Sequence, residues 1–276
     1  MGYNNSVKLK GIIAALFLVA AVIFVPQAAA MDVRAGAQGG RTAVAVYHPN
    51  GSWTGSPDAT QPRRALSLSK LYLGYWILQH GSPGEKAQVE HMIRVSSDSI
   101  AARLDSAHPQ AIDVVARNFG LHATHRNGRW GNTSTSAYDV AKFVNDIRFD
   151  PVAQPIINGM RTAAPIAQDG FAQNYGTSRL PGAEGTKFGW SDNRWSNMAS
   201  VSFGPGWTAA AMTNGNAAAN TNDALAMIGP EVHHFAGSSF ALPTIRWVPI
   251  RELLPPFFPP QLVDLIAPEL LWPVLG

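Results

Sequence analysis

The chain has 276 residues, 46% hydrophobic and 14% charged, with 25 Gly, 20 Pro and no Cys. That is enough apolar material for a core of ordinary size, and it excludes collagen-like and wholly disordered chains, disulfide scaffolds, thiol nucleophiles and Cys-ligated zinc. The formal net charge is +3, but Lys8 and Lys10 lie at the extreme N-terminus; without them 19 basic residues face 18 acidic ones, a balance of +1 that gives no nucleic-acid footprint.

Residues 1–30 have the parts of an export signal. Lys8 and Lys10 precede an uncharged apolar run from Gly11 to Val25, Pro26 breaks it, and Ala28-Ala29-Ala30 supplies small residues for a signal peptidase. Cleavage after Ala30 and an extracytoplasmic, secreted or envelope-associated location are expected. An uncleaved membrane anchor is the alternative.

Residues 31–240 are expected to form one α+β domain. Val44 and Val46 alternate with Ala45 and Tyr47, and Asn50-Gly51 turns the chain back through Ser52-Trp53-Thr54, a hairpin pattern. The apolar segment Leu71–Leu78 is too long for a buried strand and predicts a deeply buried helix ending near Gly81. A helical run is expected after Glu85, another helix with Ser97 at its head, and a third over Pro109–Phe119 with Gly120 as the stop. Asn132–Ser136 offers capping residues for a helix whose Val140, Phe143, Val144 and Ile147 share a face. Strands return at Gly185–Trp190, Asn197–Phe203 and Trp207–Thr213, and a last helix is expected near Asn222. Strands at both ends with helices between them predict one antiparallel sheet flanked by helices, with a separate helical lobe.

From Pro243 to Gly276 there are eight prolines among 34 residues, interspersed with Leu, Phe, Trp and Val. Pro-Pro pairs at 255–256 and 259–260 forbid a continuous helix. Residues 241–276 therefore read as a Pro-rich apolar tail. It either wraps over the domain or contacts a membrane surface or partner through Trp247, Phe257, Phe258 and Trp272.

Ser67-Leu68-Ser69-Lys70 is the chemically suggestive motif. At a helix start, positions i and i+3 share a face, so the Ser67 hydroxyl and Lys70 amine can meet. A buried lysine loses solvation, its pKa falls, and it can accept a serine proton. Downstream come Ser97-Asp98-Ser99 and Lys187-Phe188-Gly189. The three motifs in this order resemble the penicillin-recognising serine acyl-transferases, namely serine β-lactamases, penicillin-binding proteins and DD-peptidases, with their SxxK, SDN and KTG signatures. The resemblance spans about Arg41 to the helix after Asn222.

The resemblance implies roles. Ser67 would be the acylated nucleophile, Lys70 its base, Ser97 a proton shuttle, and Lys187 its electrostatic aid and a holder of the substrate carboxylate. Backbone N–H groups of Ser67 and Trp190 would form the oxyanion hole, and Ser99, Phe188, Gly189 and Trp190 would line the substrate site. The implied partner is a peptidoglycan stem peptide or a β-lactam-like small molecule, with no cofactor and no metal.

Three departures qualify this. Phe188 stands where a hydroxyl residue is usual, and Ser99 where an asparagine is. No Asp or Glu occurs between Asp113 and Asp139, where a class A β-lactamase keeps the glutamate that activates its deacylating water; His122, Arg126 and Trp130 lie there instead. An efficient class A β-lactamase is therefore not expected. The competing reading is a non-catalytic envelope protein that keeps the fold as a binding groove. His122 with His125, and His233 with His234, lack the third ligand and base of a zinc site.

Overall fold

The structure is a computed structural model describing residues 31–230 and, by their backbone, the strands Ile245–Pro249 and Leu271–Leu275. The expected export signal and most of the Pro-rich tail lie outside the described residues.

The chain opens with β1 (Met31–Val33), β2 (Thr42–Tyr47), β3 (Trp53–Gly55) and β4 (Arg63–Arg64). A 3-10 turn, Leu66–Leu68, leads into α1 (Ser69–His80), followed by α2 (Pro83–Lys86), α3 (Val89–Arg94), α4 (Asp98–Ala107) and α5 (Ala111–Phe119). The strands β5 (His125–Asn127) and β6 (Arg129–Thr135) precede α6 (Ala137–Ile147) and α7 (Gln154–Arg161). The chain then returns through β7 (Gly185–Trp190), β8 (Met198–Gly204), β9 (Trp207–Thr213), α8 (Ala217–Met227) and β10 (Ile228–Pro230).

Five strands make the main antiparallel sheet in the order β3-β2-β9-β8-β7, so strands from both ends of the chain pair in its middle and β7 is an edge. Both faces of this sheet are covered. Ala43 and Ala45 on β2 and Ala210 and Met212 on β9 join the large core with α1 and α6. Their strand neighbours Val44, Val46, Ala209 and Ala211 join a second core with Leu180, Trp207, Ala224 and Ile228. The period of two sends alternate side chains to opposite layers, which is why both strands are buried throughout and largely apolar.

The expected α+β architecture is what the structure has. Gly120 takes a left-handed φ of 64° and stops α5. The segment after Glu85 is two helices rather than one run, and a capping box on Ser82 starts the first of them. Only Ser136 of the hydroxyl-rich stretch caps α6. Asn132 to Thr135 belong to β6 instead, because they pair with β4 and β5 in a small three-stranded sheet. The last helix starts earlier than Asn222, since the Asn216 side chain accepts from the Ala219 N–H and caps it.

The chain divides into two compact units, Met1–Glu231 and Val232–Gly276. In the second, β11 (Ile245–Pro249) and β12 (Leu271–Leu275) form an antiparallel ribbon in which Val248 pairs with Trp272. The two Pro-Pro pairs lie outside the described residues.

Candidate active site

Ser67 sits on the 3-10 turn that leads into α1, and Leu66 before it has φ of +53°. A branched side chain in the left-handed region costs about 1–3 kcal/mol and persists only where the surroundings enforce it. Here the enforcement comes from β7. A Cβ built on Gly189 would lie 2.9 Å from the Leu66 Cβ and 3.0 Å from the Ser67 nitrogen. Gly189 thus lets the edge strand pass against the turn that presents Ser67. Tyr175 fixes the same strand by donating its hydroxyl to the Gly189 carbonyl at 2.9 Å.

Lys70 is fully buried one turn on, and its Nζ lies 2.6 Å from Ser67 Oγ and 2.6 Å from Asp98 Oδ1. The Trp130 ring covers it, with the centroid 4.0 Å from Nζ. Burial pushes the Lys70 amine down to about 8, while Asp98 at contact distance and Asp169 further away pull it back up. The pair expected from the motif spacing is therefore formed.

Lys187, on β7, is also fully buried and donates to Ser96 Oγ at 2.8 Å and to the Phe188 carbonyl at 3.0 Å. Burial, and then the neighbouring Lys70, hold its pKa well below that of an ordinary lysine. Two buried amines in one region, without a buried carboxylate in contact with both, are costly to fold and are a mark of a functional site.

The hydroxyl that meets Lys187 belongs to Ser96, not to Ser97. Ser97 is the N-cap of α4, its side chain accepting from the Ile100 N–H, and its remaining contact is Ser99 Oγ at 3.2 Å. The expected frame Ser97-Asp98-Ser99 is thus displaced by one residue. Ser96 reaches Lys187, Ser97 serves the helix, and Asp98 reaches Lys70. Ser96 has φ of +53°, which turns it out of the path of α3 just before the cap. The capping rule alone could have found this, because a helix start in this segment commits the hydroxyl of its N-cap residue.

A pocket of about 100 Å³ opens over Ser67, between Asp98, Trp130 and Gly131 on one side and Asp169, Trp190 and Ser191 on the other. Trp190 brings the end of β7 to this wall, and its indole N–H donates to Asp169 at 2.9 Å. Phe188 does not line the pocket. Successive strand residues face opposite ways, and Phe188 packs with Tyr175 and Met198 in a small buried cluster. Ser99 is exposed and outside the pocket as well, so neither residue takes the substrate-lining place expected for it.

Trp130 is positioned from a distance. Asp105 on α4 accepts two hydrogen bonds from Arg126, at 2.7 and 2.9 Å, and one from the Trp130 N–H at 3.1 Å. This pins the β5–β6 hairpin to the helical lobe and holds the indole over Lys70. Among the described residues, no group of three or more His, Asp or Glu side chains converges as a metal site would require.

No family model and no curated protein matches the sequence. Solved structures do match the fold. A double mutant of the reconstructed class A β-lactamase of the last common ancestor of Gram-negative bacteria aligns with TM-score 0.52 at 18% identity, covering 68% of this chain and 92% of that one. A β-lactamase from Xanthomonas campestris aligns with TM-score 0.54 at 14% identity, over 67% of this chain and 88% of its own. One from Sphaerobacter thermophilus gives 0.53 and 14%, over 68% and 90%. The chain has the β-lactamase-like fold. Within it, Ser67 and Lys70 lie at the head of α1, Ser96 between the helices and Lys187 on the edge strand. The carboxylate-free stretch between Asp113 and Asp139 supplies the β5–β6 hairpin, which carries the Trp130 indole against Lys70.

Proposed function

We propose that the protein is a serine acyl-transferring enzyme that forms an ester between Ser67 and the acyl group of a small amide or ester substrate. The observation that carries this reading is the 2.6 Å contact between Ser67 Oγ and a fully buried lysine whose pKa lies near 8. Neutral Lys70 takes the Ser67 proton as Oγ attacks the carbonyl carbon. The carbonyl π electrons move to oxygen, where the Ser67 and Trp190 N–H groups stabilise the charge. Collapse breaks the bond to the leaving nitrogen or oxygen. That atom receives a proton from Ser96, whose oxygen Lys187 holds at 2.8 Å, and the proton taken up by Lys70 returns to Ser96 through solvent. Water or an amine then releases the acyl group.

A peptidoglycan stem peptide or a β-lactam is the substrate class we favour, and the leader-like N-terminus supports action outside the cytoplasm. Phe188 and Ser99, the two departures from the motif pattern, lie outside the pocket, while Ser67 with Lys70 and Ser96 with Lys187 keep their contacts. Incubation with a fluorescent penicillin and with a series of nitrophenyl esters tests the reading. Covalent labelling or ester turnover that disappears in Ser67→Ala supports it. Absence of both in the unaltered protein across pH 5–10 refutes it.

A further inference from the structure

Lys70 has three N–H directions when protonated, and three neighbours occupy them. Ser67 Oγ and Asp98 Oδ1 stand at 2.6 Å each, and the face of Trp130 lies 4.0 Å away. This is the environment of an ammonium. A base for Ser67 needs instead a free lone pair aimed at the serine proton, so the arrangement describes a resting state that must lose one proton before it can act. The lysine side chain is fully buried, whereas the Asp98 side chain is 67% exposed. Of the two oxygen partners, Ser67 is itself buried. The route from Nζ to bulk water therefore runs through the carboxylate.

We propose that Asp98 is a positioning residue that holds the Lys70 proton at low pH and passes it to solvent at high pH, so that it sets the pH at which Ser67 becomes acylable. The proposal rests on Lys70 being the base for Ser67. The step is a plain proton transfer. The N–H bond of the ammonium breaks, an O–H bond forms on the Asp98 carboxylate, and that proton leaves to water or buffer as Lys70 becomes neutral. The other charged groups facing Lys70 are Lys187 on β7, which repels its charge, and Asp169 on the loop before β7, which favours it from further away.

Asp98→Asn removes the charge and keeps the shape at an exposed position. The experiment is an NMR titration of the Lys70 ε-carbon, assigned by its loss in Lys70→Arg, in the unaltered protein, Asp98→Asn, Asp98→Glu and Asp169→Asn. The expected result is a midpoint lowered by about one pH unit or more in Asp98→Asn, restored in Asp98→Glu, and lowered less in Asp169→Asn. A one-unit fall from about 8 raises the neutral fraction at pH 7 from about one tenth to about one half, so acylation at pH 7 should rise about five-fold. An unchanged or raised midpoint in Asp98→Asn overturns the proposal. The titration is read without substrate. A shifted midpoint in a protein that no acyl donor labels would refute the enzymatic reading and leave the proton-holding role standing.

Discussion

Lys187 Nζ lies 2.8 Å from Ser96 Oγ, joining the edge strand of the sheet to the residue before the α4 cap across 91 positions of sequence. The neighbouring Ser97 is as buried as Ser96 but faces its own helix. Two adjacent serines thus have separable duties. Ser96→Ala should lower the rate of acylation about 100-fold or more, the scale of a lost proton-transfer group, and cost about 1–3 kcal/mol because the buried Lys187 amine loses an acceptor. Ser97→Ala should lose about 1 kcal/mol of stability with the removed cap and keep most of its rate. Labelling kinetics and urea titrations of the two variants check this, and equal rates would contradict it.

Gly189 makes a steric prediction. Its missing Cβ leaves room for Leu66 and the Ser67 amide at 2.9 and 3.0 Å. Gly189→Ala must push β7 away from the nucleophile turn. We expect acylation to fall at least about ten-fold, with a stability loss of about 1–3 kcal/mol from overpacking. Stopped-flow labelling should place the loss in the chemical step rather than in binding.

Lys70 links activity to stability with a defined sign. Its folded pKa of about 8 lies below the ordinary lysine value of about 10.4. At pH 7 both states are protonated and the folded protein bears the cost of a buried charge, about 3 kcal/mol at most. As pH rises from about 8 to about 10.4, the folded form is neutral while the unfolded form still binds a proton, so the penalty shrinks and then vanishes. Lys70→Met should therefore abolish acylation yet be more stable than the unaltered protein at pH 7. That advantage should narrow towards pH 10, as paired denaturation curves would show.

The hairpin anchor can be tested apart from the chemistry. Asp105 is buried and satisfies both Arg126 and the Trp130 N–H. Asp105→Ala leaves a part-buried guanidinium without its partner and should cost about 3 kcal/mol. It should also free Trp130, read as a red-shifted and more quenchable fluorescence component that Trp130→Phe removes.

Much of this site was legible in the sequence because its rules are local. The i, i+3 spacing of Ser67 and Lys70 needs only a helix, and the short, largely apolar runs Thr42–Tyr47 and Trp207–Thr213 need only a sheet covered on both faces. Side-chain direction at Phe188 was not legible from its motif, since which face of an edge strand meets the pocket depends on Tyr175 and Met198 arriving from elsewhere. Trp130 and Asp169 were hidden for a similar reason. Trp130 reaches Lys70 through a hairpin that short polar strands and a distant Asp105 create together. Asp169 reaches Trp190 from a loop with no periodicity to read.

The central claim is that Ser67 becomes the acylated atom because Lys70 takes its proton. The most direct measurement is peptide mapping by mass spectrometry after exposure to a penicillin or an activated ester, across a pH series. The account predicts one adduct, on the peptide bearing Ser67, whose rate of formation rises with a midpoint near 8 and which is absent from Lys70→Met. An adduct on another residue, or one on Ser67 whose rate ignores both pH and Lys70, would contradict it.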